Sequence, residues 1–389
     1  MSFNRRTVLQ GFAVGLAAPT LVRAQSAPEP LHATLPDWMT LRLAVPNSPD
    51  AATRYADYDQ VGFHGDRFVS ENKTKTLFTV PDQPAGEAGA LNVDLSSYSD
   101  QQADLARLSG RDDVPFDLHG MVWHNSLSPV LKAHLARSPA DWRPLLDRLM
   151  QAHLADDTFP RFDINEIART THPVDPTYDY WRGPASSVKN GSAWFEAAEQ
   201  AGDWPHGPGF WWLHPAIKAW DYSAKVIFQD FGLDAGRPWG AGDRTVPAGF
   251  EGRRDEMVKR RQMLDAINYA LVHGGRIDVF GFQAHLNPGL ALDAADLRLF
   301  LASLASMGVE SEITEFDIAP ASRHAPVSAE DYGAAFLALL LKHSDLHQFG
   351  AWSGWAPKDQ PWRHTVIDRD GITDVGRAIA RAAQAATPP

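Results

Sequence analysis

Short apolar runs recur along the chain, and most end on, or are directly followed by, a polar or aromatic side chain. They occupy residues 41–45, 67–71, 116–123, 160–166, 225–229, 277–283, 309–315 and 348–352. Segments of helical period lie between several of them, at 101–108, 141–154, 255–273, 293–307 and 329–342. Asp293 and Ser328 stand where N-caps are expected. Eight β-like runs with intervening helices predict a single-domain α/β fold, a (β/α)8 TIM barrel, over residues 36–389. A doubly wound open sheet is the rival, but no Gly-rich phosphate loop follows the first run. In a barrel of this kind the chemistry sits at the carboxyl ends of the strands. Glu71, His124, Glu166, Gln283, Glu315 and Trp352 all fall there.

The seventh run carries the densest chemistry. It reads Val-Glu-Ser-Glu-Ile-Thr-Glu-Phe-Asp-Ile from Val309 to Ile318. Side chains two apart on a strand point the same way, so Glu315 and Asp317 are expected to face one cleft. Glu166 closes the fourth run in the same fashion. Two carboxylates on separate strand ends are what cleavage of a β-glycoside needs, one to protonate the leaving oxygen and one to attack or to activate water.

The first residues read as an export signal of twin-arginine type over 1–24. Arg5-Arg6 precede a Gly/Ala-rich apolar run, and processing is expected after Ala24. Gly11, Gly15 and Pro19 make that run a poor membrane span. A short Pro-rich tether is expected over 25–35. The mature chain is then expected to be periplasmic or secreted, and monomeric. Its formal charge goes from −12 to −15 when Arg5, Arg6 and Arg23 are removed. Such a surface repels nucleic acid and anionic membranes and suits a neutral polysaccharide or oligosaccharide partner. The absence of cysteine excludes disulfides and thiolate metal sites. His206 and His214 have no ligand-like spacing, so neither metal nor cofactor is expected. Thirteen tryptophans supply flat faces for sugar rings or ordinary core. Many of them fall in a long aromatic-rich insertion at about 167–224, expected to lie over one side of the cleft.

Four further clusters reach the same barrel face. Glu71-Asn72-Lys73-Thr74-Lys75 follows the second run, and His119 to Asn125 spans the third. Gln283-Ala284-His285 closes the sixth, and Trp352, Trp355 and Trp362 follow the eighth. Taken in order with Asn165-Glu166 and Ile313-Thr314-Glu315, these motifs resemble glycoside hydrolase family 10, the retaining β-1,4-xylanases, from about residue 60 to 365. The resemblance implies Glu315 as nucleophile and Glu166 as acid/base, in a double displacement that cleaves internal linkages of xylan. It places Glu71, Asn72, Lys75, His124, Asn165, Gln283 and His285 against sugar hydroxyls or the nucleophile, with Trp352 and Trp362 (or Trp355) as floor and wall. Asp317 is expected to orient His285, and Asp163 to support the site. His119 reads as a hydrogen-bonded core histidine.

Several positions depart from the family pattern. Phe162-Asp163 stands for Trp-Asp, and Ile167 stands where a small residue is usual. Gln229-Asp230-Phe231-Gly232 replaces Asn-Asp-Tyr-Asn, which is expected to remove two amide side chains. The machinery is intact and its surroundings differ, so another β-linked glycan, a β-glucan or bacterial exopolysaccharide, is the same-class alternative. A non-catalytic periplasmic glycan-binding protein is the alternative of a different class.

Overall fold

Apolar runs flanked by helices become strands covered on both faces. The computed structural model describes residues 29–46, 51–80, 92–125, 127–155, 157–167, 191–203, 206–236, 255–288, 291–319, 327–352, 365–368 and 371–388. Its parallel strands are β1 (Thr40–Val45), β2 (Arg67–Ser70), β3 (Phe116–Trp123), β4 (Arg161–Asn165), β5 (Lys225–Asp230), β6 (Val279–Phe282), β7 (Glu310–Ile318) and β8 (Gln348–Ala351). Each pairs with its sequence neighbours, and β8 pairs with both β7 and β1, closing a (β/α)8 barrel. Closure leaves no unpaired strand edge. The expected caps are present: Asp293 accepts from Asp296 N–H at 3.0 Å and Ser328 from Asp331 N–H at 3.1 Å.

One irregularity in β7 decides what points inward. Ile313 pairs with Phe349 but Phe316 pairs with Ala351, so β7 carries one extra residue there. Strict alternation would put Glu312 and Glu315 on opposite faces; a bulge resets the parity. Glu312 reaches Arg161 across the barrel floor, and three residues on Glu315 reaches His285 at the mouth. Phe316 then points outward onto Phe349, with ring centroids 4.9 Å apart. Gly350 makes room for the bulge, since a Cβ there would lie 2.6 Å from the Thr314 carbonyl oxygen.

The barrel floor is charged. Arg42, Asp117, Arg161 and Glu312 are buried, and Arg67 joins them at the rim. Arg161 donates to Glu312 and Gln348, and Arg42 Nε lies 3.2 Å from Asp117 Oδ2. Burial would push the Asp117 carboxyl up, but Arg161, Arg42 and Arg67 outweigh it and hold it below the usual range.

Two sequence expectations change. Residues 31–35 are not part of a tether: Leu31–Thr34 forms a 3-10 turn with Leu31 and Leu35 buried. Leu31 N–H donates to His64 Nδ1 at 2.9 Å, which anchors the turn. The second half of the insertion is likewise regular structure, with helices Ala193–Ala201 and Leu213–Lys218 on the outer flank. Trp194 stacks on Trp211, and Trp212 packs on Phe228, an outward residue of β5. These indoles are core because β4 and β5 need a helical cover between them. Residues 168–190 lie outside those described, as do 1–28. No helix among the described residues is long and apolar enough to cross a membrane.

Two outcomes are expected. Glu312→Leu takes from buried Arg161 the carboxylate it donates to, leaving it Asp117 at 3.8 Å to share with Arg42 and Arg67, and should cost about 3–5 kcal/mol in urea unfolding; a loss under about 1 kcal/mol would contradict the network's role. Burial lowers His64 and His153 to about 4, well below an unfolded histidine. The native state therefore refuses protons that the unfolded chain accepts. The stability these two groups contribute is full above about pH 6.5 and is lost as pH falls through 4. Unfolding of wild type and His153→Gln across pH 7 to 4 checks this, the variant losing less; equal losses would contradict it.

Candidate active site

The strand ends and the turns behind them assemble a polar mouth. After β2, Ser70 Oγ accepts from Lys73 N–H at 2.9 Å, and Thr74 Oγ1 exchanges hydrogen bonds with the His119 backbone. This stitches the Glu71–Lys75 segment to β3. It brings the Lys75 stem against Gly120, whose φ of 73° and missing Cβ leave the room. Lys75 Nζ donates to Asn72 Oδ1 at 3.0 Å and lies 4.9 Å from the Trp123 ring centroid and 5.8 Å from that of Trp352. The ammonium is thus held between two indole rings. Burial lowers the Lys75 pKa, and the charges of Glu315, Glu71, Asp163 and Glu166 only partly offset that.

Glu315 is buried at the centre, 4% exposed. Its Oε2 lies 3.3 Å from His285 Nε2, and its Oε1 accepts from Gln229 Nε2 at 3.0 Å. His285 Nδ1 in turn lies 3.0 Å from Asp317 Oδ2, so Asp317 backs the histidine as the i, i+2 spacing predicts. The pairing of Asp317 with His285 in register produces this contact. Burial would raise the Glu315 pKa. The hydrogen bond from His285 and the positive potential of His119, His285 and Lys75 outweigh it and hold the carboxyl below its ordinary range.

Glu166 follows β4 in a left-handed conformation, φ 51°. Such a conformation is costly for a non-glycine residue and persists where its surroundings over-determine it. Here the Glu166 N–H donates to the Gln229 carbonyl at 3.0 Å, and Gln283 Nε2 donates to Glu166 Oε1 and Asn165 Oδ1, both at 3.1 Å. Ala284, also left-handed at φ 57°, turns the chain between Gln283 and His285. One three-residue segment thereby supports Glu166 on one side and Glu315 on the other. Gln229 ties them a second time, through its carbonyl to Glu166 and its amide to Glu315. The two acids converge on one face of the barrel mouth.

Most of the expected residues gather here: Asn72, Lys75, Asn165, Glu166, Gln283, His285, Glu315, Asp317 and Trp352, with Asp163 beneath them. Glu71 acts on Lys75 through its charge, and His124 packs edge-on to Trp123 at 5.6 Å. Trp355 and Trp362 lie outside the described residues. Three participants were missed. His119 is hydrogen-bonded to Asp163 at 2.6 Å as a core histidine should be. It also sits 4.0 Å from Glu315 Oε1 and edge-on to Trp352. Trp123 forms one wall over Lys75. Gln229 falls in the segment expected to lack two amide side chains, yet it supplies one; its inward position at the end of β5 is the signal for it.

Residues 250–373, about a third of the chain, match the family model described as glycosyl hydrolase family 10. No curated protein matches the chain. Among solved structures it is similar to native xylanase 10C from Cellvibrio japonicus, at 16% identity and TM-score 0.67, covering 92% of this chain and 73% of that one. It is similar to Penicillium canescens endo-1,4-beta-xylanase XylE at 12% identity and TM-score 0.64, with 91% and 97% covered. Native xylanase 10B from Thermotoga maritima aligns at 14% identity and TM-score 0.62, also over 91% and 97%. The family model thus spans β6, β7 and β8, so that part of the chain resembles glycosyl hydrolase family 10, and the chain as a whole has the barrel fold of these three structures.

Proposed function

We propose that this chain is an exported, retaining β-glycosidase that cleaves internal β-1,4 linkages of xylan by double displacement. The observation that carries the reading is the pair Glu166 and Glu315, tied to one residue, Gln229, and supported from opposite sides by Gln283 and His285. In the first step a Glu315 oxygen attacks the anomeric carbon while Glu166 gives its proton to the departing glycosidic oxygen. In the second step Glu166 takes a proton from water, which displaces Glu315 and restores the starting configuration. Direct attack requires the carboxyls about 5–5.5 Å apart. The low pKa of Glu315 suits an ionised nucleophile. The negative potential of that nucleophile favours a protonated Glu166 beside it.

Lys75, Asn72, His124 and Asn165 are proposed to bind hydroxyls of the sugar being cleaved and its neighbour. Trp123 and Trp352 provide apolar walls. Xylan is favoured by the likeness to the three xylanases; the departures at Phe162 and 229–232 favour a second reading, another β-glycan, as its rival. Export rests on Arg5-Arg6 and the apolar run behind them.

Mature protein on xylan, β-glucans and exopolysaccharides, followed by NMR of the first-formed anomer, tests the reading. A β-anomer from xylan is expected; an α-anomer would exclude retention, and turnover of glucan or exopolysaccharide without xylan would exclude the xylan assignment. Glu166→Ala should lose about 10²–10⁴-fold on polymer but far less glycosylation rate on an aryl glycoside with a good leaving group. Equal losses on both would contradict the acid/base role.

A further inference from the structure

The amide of Gln229 does more than fill the end of β5. Its Nε2 donates to Glu315 Oε1 at 3.0 Å and to Asp163 Oδ2 at 2.8 Å, using both of its hydrogens. Asp163 is buried in β4 and accepts from Gly120 N–H at 2.7 Å, with His119 Nδ1 2.6 Å from its Oδ2. The Gln229 Oε1 is buried without a hydrogen-bond partner, so the protein accepts an unsatisfied carbonyl there in return for the two donated bonds. Reversing the amide would aim that oxygen at two carboxyl groups, so the orientation is settled by its neighbours.

We infer that Gln229 is a positioning residue whose side-chain amide bridges Glu315 and Asp163, fixing the orientation in which Glu315 meets the sugar. This rests on the reading of Glu315 as nucleophile. His285 grips one Glu315 oxygen and Gln229 the other, leaving the carboxyl no rotational freedom. The amide also separates two acidic groups that would otherwise face each other. The remaining groups around Glu315 are Lys75 from the turn after β2, His119 from β3, Glu166 after β4 and Asp317 behind His285. Without the amide, Glu315 keeps the help of His285, His119 and Lys75 but loses a donor, and its charge and that of Asp163 lose the shared amide that both accept from. Both changes favour its protonated form.

The test uses Gln229→Leu and the near-isosteric Gln229→Glu in the full mature protein, with the Glu315 side chain followed by carboxyl 13C NMR and identified by its loss in Glu315→Gln. Gln229→Leu should raise the Glu315 titration midpoint by about one pH unit. The acid limb of the kcat/KM profile should move with it. kcat should fall about 10–100-fold with KM little changed, the scale of other outer-shell losses. Gln229→Glu should retain activity only at low pH, where the new carboxyl can still donate. A midpoint and acid limb that stay in place in both variants would overturn the inference even if kcat falls. The NMR midpoint does not depend on turnover, so it decides the role of Gln229 even if the glycosidase reading fails on every polysaccharide.

Discussion

A carboxylate that the proposed reaction needs as an anion sits where burial alone would keep it protonated, and the side chains of the barrel mouth offset that burial. Glu315 is almost wholly enclosed, so its charge has to be stabilised by the protein rather than by water. The stabilisers come from many separate strand ends: Lys75 after β2, His119 in β3, Gln229 in β5 and His285 after β6. No single local motif could deliver them together. Closing eight parallel strands into a barrel does, because it brings every carboxyl end to one rim.

The same logic runs down the barrel interior. Its lower layer is a buried set of arginines and acids, and its upper layer is the reactive mouth. The bulge in β7 is what allows Glu312 to serve the first and Glu315 the second within four residues. Strained backbone gathers at the upper layer: Glu166 and Ala284 are two of three non-glycine residues with positive φ among those described. Glu166 is one of the two acids, and Ala284 turns the chain between Gln283 and His285, which contact them; this ties the local cost to the geometry the proposed reaction needs.

Much of this was legible in the chain itself. The apolar runs matched the barrel strands closely, since a strand buried on both faces must be apolar and short. The acids at 166 and 315, with Asn165, Gln283, His285 and Asp317, could be found because strand ends of a barrel share a rim. The bulge was not legible, because one inserted residue leaves composition and approximate period unchanged. Arg42 and Arg161 gave no sign of their floor partners, which are far away in sequence. Trp194, Trp211 and Trp212 were misleading for a related reason: an aromatic that stacks on sugar and one that packs against β5 are the same residue type, and only the helices around them distinguish the two. Gln229 was hidden by comparison with a family pattern, where it counted as a loss although its amide reaches Glu315.

Covalent capture of the nucleophile tests the central claim most directly. The mature protein would be treated with a 2-deoxy-2-fluoro β-glycoside carrying a good leaving group, which slows release of the glycosyl-enzyme more than its formation. Intact mass and peptide mapping should find one added sugar per chain, attached to Glu315, with no adduct in Glu315→Gln. An adduct on another residue, or turnover of natural substrate by an enzyme that never accumulates one, would contradict the account.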